Sequence, residues 1–149
     1  MMLAVLAQVA VASLRIGLAD GSDASVQVMP DRSAGYRLTV DCRNGCTRPL
    51  HYSTPIGDSP LGLLDLDRDG LVYSVWGTGC CYVVRVWKVT SQGVSKVLEA
   101  GSRGRPSLVN APGLTIVTYM RPTDSRGRET SMSLRPIRWT YSGGRFSSR

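Results

Sequence analysis

Apolar side chains recur at every second position through most of this 149-residue chain. Leu14, Ile16 and Leu18 point one way and Arg15 the other; Val26 and Val28 repeat the pattern. Tyr36, Leu38, Val40 and Cys42 then alternate with Arg37, Thr39 and Asp41. Period two is the signature of a strand with one face buried, because successive β side chains leave opposite faces of a sheet. No segment holds twelve residues of clean helical spacing, and the 16 glycines and eight prolines recur too often for long helices. Turn formers sit between the alternating runs, at Asp20-Gly21-Ser22-Asp23 and across Met29–Gly35. The chain is therefore expected to be all-β, with small antiparallel sheets in a compact propeller-like or sandwich arrangement.

The middle of the chain carries the most apolar strands. Leu71–Trp76 and Tyr82–Val89 are rich in β-branched and aromatic residues and flank Gly77-Thr78-Gly79-Cys80-Cys81, which predicts a hairpin with a five-residue connection. Runs this apolar are expected at the centre of a sheet. A turn at Ser91-Gln92-Gly93 leads into a short strand near Lys96–Leu98; further strands are expected over Leu114–Tyr119 and Met132–Tyr141. Gly101–Ser107 and Pro122–Arg128 read as loops.

The first twelve residues, MMLAVLAQVAVA, hold no charge and end with small residues at Ala10 and Ala12. This is the apolar region and A-x-A pattern of a secretory signal, too short to span a bilayer, with cleavage expected before Ser13. Residues 13–149 then form a single β-rich domain, of ordinary length for one core. The four cysteines fit the same compartment, since an even count in a small exported protein reads as two disulfides. Cys42 and Cys46 bracket Arg43-Asn44-Gly45, which suits a three-residue hairpin with Gly45 left-handed and the two cysteines bridged across the strand pair. Cys80 and Cys81 are adjacent. A strained vicinal bridge, two free thiols and a long-range bridge between the two pairs all stay open for them. Neither spacing is that of a zinc site.

Charge is unevenly distributed. Of the 18 basic residues only Lys88 and Lys96 are lysine, and residues 75–149 hold twelve Lys and Arg against three acids. Clustered arginine suits nucleic acid, an acidic protein or an anionic envelope; the exported compartment argues against nucleic acid. Ser102-Arg103-Gly104-Arg105-Pro106-Ser107 and Thr123-Asp124-Ser125-Arg126-Gly127-Arg128 are the richest loops, and loops on a β scaffold are where binding residues concentrate.

Asp65-Leu66-Asp67-Arg68-Asp69-Gly70 matches D-x-D-x-D-G, a pattern in which alternate carboxylates can converge on a hard cation. The closing acid is missing, because Trp76 stands at the twelfth position. Arg68 inside the loop supplies a positive charge of its own. A turn capping the next strand is the expected reading, with Asp65, Asp67 and Asp69 only weak metal candidates. No cofactor is expected. His51 is the only histidine, and no motif offers a nucleophile with a base, so no catalytic residue is assigned.

Taken together, the leader, the cysteines, the small β body and the exposed Ser/Arg/Gly loops give this chain a resemblance to the periplasmic immunity proteins that bacteria direct against their own type VI secretion effectors. Leu64–Val89 (LDLDRDGLVYSVWGTGCCYVVRVWKV) and the loops through Ser107 carry it, and they most resemble the partners of a peptidoglycan amidase, a papain-like Cys–His hydrolase. The resemblance implies a periplasmic binding protein, not an enzyme, that pushes a serine-bearing loop into the amidase groove beside the catalytic histidine. On that footing the partner-binding residues are Ser91, Gln92 and Gly93 at one turn, and Ser102, Arg103, Arg105 and Ser107 in the following loop. The alternative is a calcium-dependent envelope or carbohydrate-binding module of FG-GAP-like type, resting on the Asp65–Asp69 loop.

Overall fold

The computed structural model describes residues 10–46, 49–66, 70–109 and 114–149. Twelve strands form three four-stranded antiparallel sheets, each a meander taken in chain order, and none closes into a barrel. The first sheet holds β1 (Ala12–Gly17), β2 (Asp23–Asp31), β3 (Gly35–Asn44) and β4 (His51–Ile56). The second holds β5 (Ser59–Asp65), β6 (Leu71–Gly77), β7 (Tyr82–Thr90) and β8 (Gly93–Ser102). The third holds β9 (Ser107–Val109), β10 (Thr115–Met120), β11 (Arg135–Ser142) and β12 (Arg145–Ser148), in the order β12-β11-β10-β9. Among the described residues no helix is long and apolar enough to cross a membrane.

The sheets stack face to face like consecutive propeller blades, and the alternation of each strand shows how. Ile16, Ala24, Val26, Val28, Leu38 and Val40 form the buried face of the first sheet and meet Val72, Trp76, Trp87 and Val89 of the second. Leu71, Tyr73, Val84, Val86 and Leu98, on the opposite face of that second sheet, meet Ile116, Trp139 and Phe146 of the third. The apolar runs of β6 and β7 therefore belong to a middle layer that is covered on both sides, which is why they lack polar alternation.

The polar groups of the first seam form a connected network. Trp76 Nε1 donates to Ser74 Oγ (2.7 Å), and that hydroxyl donates to the Arg85 carbonyl (2.8 Å). The Arg85 guanidinium bridges Glu99 (2.8 Å) and Asp58 (2.7 Å) and stacks 5.8 Å from the Trp76 ring centre. Asp58 lies in the link between the first two sheets, so this half-buried arginine ties the link to β8.

Several boundaries differ from the sequence expectation. β2 runs through Pro30 to Asp31, leaving only residues 32–34 as the turn, because Pro30 pairs with Tyr36 near the end of the ladder. β8 spans ten residues instead of three, since its alternating face packs on the third sheet while its other face is polar. Gly77 pairs with Tyr82, so the β6–β7 connection has four residues, and Gly93 pairs with Thr90, so the next turn is Ser91-Gln92 alone. Ser102 and Ser107 are strand residues, and the loop between them is 103–106. The strand expected from Met132 begins only at Arg135. Gly45 is left-handed as expected (φ 72°), but the hairpin around it is wider: the backbone N–H of Cys42 donates to Leu50, not to Cys46.

Residues 1–9 of the expected signal segment lie outside the described residues, as do Asp67, Arg68 and Asp69. Val11 and Ala12 already run along β2, with the Val11 N–H donating to the Val28 carbonyl (2.8 Å).

Candidate functional site

Antiparallel meanders put alternate connections at opposite ends of the stack, and this sorts the candidate residues. The β1–β2, β5–β6 and β7–β8 turns share one end; the β6–β7, β8–β9 and β10–β11 connections share the other. Ser91, Gln92 and Gly93 thus lie at the end opposite Arg103 and Arg105. The fold does not bring the two sets together.

At the first end, the Ser22 hydroxyl and N–H donate to the Asp20 carboxylate, and with the Ser91 hydroxyl nearby they hold that acid below its ordinary range. Gly70 closes the Asp-rich β5–β6 turn in a left-handed conformation (φ 88°), and its carbonyl accepts from Val89 N–H (2.8 Å). A β-carbon there would collide with the Val89 carbonyl. Backbone approach therefore accounts for the glycine of the D-x-D-x-D-G stretch without reference to a cation. Asp65 ends β5.

The charge is concentrated in the third sheet and the loops that join it. Residues 1–102 contain nine Lys and Arg and nine Asp and Glu, whereas residues 103–149 contain nine Arg and two acids, Asp124 and Glu129. The whole net charge of +7 thus belongs to the third sheet and its connections. Residues 121–134, between β10 and β11, form the longest connection, and it has structure of its own. Thr123 and Glu129 make a bridge, Thr130 N–H donates to the Pro122 carbonyl (2.8 Å), and Asp124 N–H donates to the Arg128 carbonyl (2.9 Å). The Asp124 carboxylate accepts the backbone N–H groups of Arg126 and Arg128, both at 2.9 Å, and these bonds lower its proton affinity. The result is a small finger with Ser125, Arg126 and Gly127 exposed at its tip.

Glu129 fixes the base of the finger. It bridges Arg121 of the same connection (2.8 Å) and Arg103 of the β8–β9 loop, and the two guanidinium groups hold its carboxyl below the usual range. Leu134 lies over Gly104, where an added β-carbon would stand 3.0 Å from it. The two arginine-rich loops picked out in the sequence are thereby joined into one surface. Glu129, Arg121 and Leu134 escaped the sequence reading because each is isolated in the chain and acquires its role only from the loop packed against it.

Of the remaining candidates, Ser102 is internal: its hydroxyl donates to the Gly104 carbonyl (2.6 Å) and accepts from Tyr119 N–H (2.8 Å), and only 2% of the residue is exposed. It shapes the loop and has no free hydroxyl to offer. Ser107 lies on β9, its oxygen 3.3 Å from the Tyr119 hydroxyl. Arg105 is exposed and has no carboxylate within ion-pair distance among the described residues. Arg103 also places Nη1 3.3 Å from Cys81 Sγ.

The cysteines fall into the two local pairs. Cys42 and Cys46 have Cα atoms 6.3 Å apart with their sulfurs at disulfide distance, and Cys80 and Cys81 are likewise paired within the β6–β7 tip. A long-range bridge between the pairs would join opposite ends of the stack, so the local pairing is the one the fold permits. His51 is exposed on the outer face of the first sheet, its Nδ1 2.6 Å from Asp41 Oδ1 across the β3–β4 pair. Among the described residues no three His, Cys, Asp or Glu side chains are grouped as metal ligands would be.

Comparison with protein-family models, with curated proteins and with solved structures gives no match for this chain.

Proposed function

We propose that this chain is a periplasmic immunity protein that binds a type VI secretion peptidoglycan amidase, a Cys–His hydrolase, and occludes its active-site groove. The observation that carries the reading is the finger of residues 122–130. A short hairpin, ordered by its own backbone bonds and clamped at its base by Glu129, loses little conformational freedom when it enters a cleft. Its tip presents a serine hydroxyl, which can hydrogen-bond a catalytic imidazole, and Arg126 beside it. Arg103 and Arg105 belong to the adjoining loop and would line the rim, where charge governs approach more than dwell time. Ser91-Gln92 sits at the opposite end and would face away from an enzyme engaged by the finger.

The test is inhibition of a purified papain-like peptidoglycan amidase, assayed by release of cleaved stem peptide. Ser125→Ala should cost little, since a neutral hydrogen bond nets only about 0.5–1.5 kcal/mol. Ser125→Glu and Gly127→Trp, which cannot fit a closed groove, should weaken inhibition by about a hundredfold. Full inhibition by both bulky variants, with loss on Ser91→Glu, would move the contact to the other end. Failure of the unaltered chain to bind any such amidase would overturn the reading.

A further inference from the structure

A second site lies in the seam between the middle and third sheets. β5 is the edge strand there, and a bulge between Pro60 and Gly62 turns Leu61 outward. Gly62 pairs with Val75 and has no side chain to cover it. On the facing side β9 is only three residues long. The resulting cavity, of about 280 Å³, has walls of Leu61, Leu64, Tyr73, Val75, Pro106 and Leu108.

Its lining is apolar apart from two groups. Tyr73 is 7% exposed, and its hydroxyl makes no hydrogen bond to any described residue. Burial pushes its pKa up to about 12, so it remains a proton donor, and Arg105 is the charge that acts on it. Arg105 also lines the cavity. An apolar chamber with one guanidinium and one phenolic donor matches a molecule with an apolar body and a single carboxylate. A cation would be repelled by Arg105, and a sugar would leave most of its hydroxyls unpaired against leucine and valine. Leu61 and Leu64, 52% and 48% exposed, leave the mouth open to a small solute.

The geometry points to this cavity as a binding site for a small amphipathic carboxylate, its apolar body between Val75 and Leu108 and its carboxylate on Arg105. The volume lies near the lower end of the roughly 300–1,000 Å³ usual for ligand sites, which limits the body to about one aromatic ring or a short acyl chain. This inference shares Arg105 with the amidase reading but does not rest on it, and its readout involves no enzyme.

Phenylacetate is a suitable probe, followed by NMR titration of the full chain against phenylacetamide. The carboxylate should bind at least about fivefold tighter than the amide. Arg105→Gln, an exposed substitution, should abolish that preference and leave amide binding in place. Gly62→Leu should fill the chamber: nothing lies within 4 Å of a β-carbon at Gly62, so the variant can fold with the ladder intact. It should lose at least about tenfold in affinity for both probes. Equal binding of carboxylate and amide by the unaltered chain, or unchanged binding by a folded Gly62→Leu variant, would overturn the assignment.

Discussion

The carbonyls of Gly70 and Val89 lie where no side chain can come between the strands: Val89 N–H donates to Gly70 at 2.8 Å, and Val89's own oxygen fills the space a β-carbon on Gly70 would need. Gly70→Ala must therefore move backbone and hold a left-handed φ as well. We expect a loss of at least about 2 kcal/mol in denaturant unfolding. The stability of this variant should be the same with calcium or with chelator.

Asp67→Asn with Asp69→Asn tests the same turn from its acidic side. If the turn simply caps β6, the double variant stays within about 0.5 kcal/mol of the parent. Calcium should then leave the melting temperature of the unaltered chain where it was. A saturable rise at micromolar calcium would favour the envelope-module alternative.

Ser74 is wholly buried and, among the described residues, supplies the acceptor of the Trp76 indole N–H. Ser74→Ala strands that donor inside the first seam and should cost about 1–3 kcal/mol, read from the denaturant midpoint at constant slope. Adding Trp76→Phe should cost less than the two single changes summed, because the stranded donor goes with the indole.

Glu129 gives the finger a pH dependence of known sign. Its folded-state pKa lies below the ordinary 4.5, so the unfolded chain takes up the proton first as pH falls. Its contribution is complete above that value and disappears as pH drops through the folded-state pKa. The stability difference between the parent and Glu129→Gln should thus be constant from neutral pH to about pH 5 and close at lower pH. A difference that persisted below pH 3 would show that Glu129 acts through packing alone.

Cys42 and Cys46 should be recovered as one bridged peptide by mass spectrometry of unreduced material. The loop they close is short, so Cys42→Ser with Cys46→Ser should cost near the lower end, about 2 kcal/mol, of the usual range. Two free thiols in material purified from the periplasm would count against the bridge.

Eight of the twelve strands can be found from alternation or from apolar, β-branched runs, and the four that cannot share a position. β4, β5, β9 and β12 are all edge strands. An edge strand buries less and pairs on one side only, so it tolerates Pro55, Pro60, Gly62 and the serines of β12, residues that punctuate a sequence. The site was less visible for a related reason. Arginine-rich composition marked residues 103–105 and 123–128, but nothing local shows that Glu129 joins them, or that Ser102 and Ser107 both belong to strands and Ser102 turns inward. The apolar chamber is invisible in sequence because it exists through a side chain that Gly62 lacks. Turn polarity likewise could not place Ser91 and Arg103 at opposite ends; that follows only from counting strands.

The middle sheet has a further consequence for how the molecule opens. Both apolar clusters draw on β6 and β7, so the first seam cannot melt without exposing the wall that supports the second. The three sheets are local in sequence, as repeats that unravel one at a time are, yet they share a single load path. Amide protons at Val84 and Val86 should exchange with solvent only when the whole chain unfolds, while those of β12 exchange by local fraying. Heating should then give one calorimetric transition instead of three.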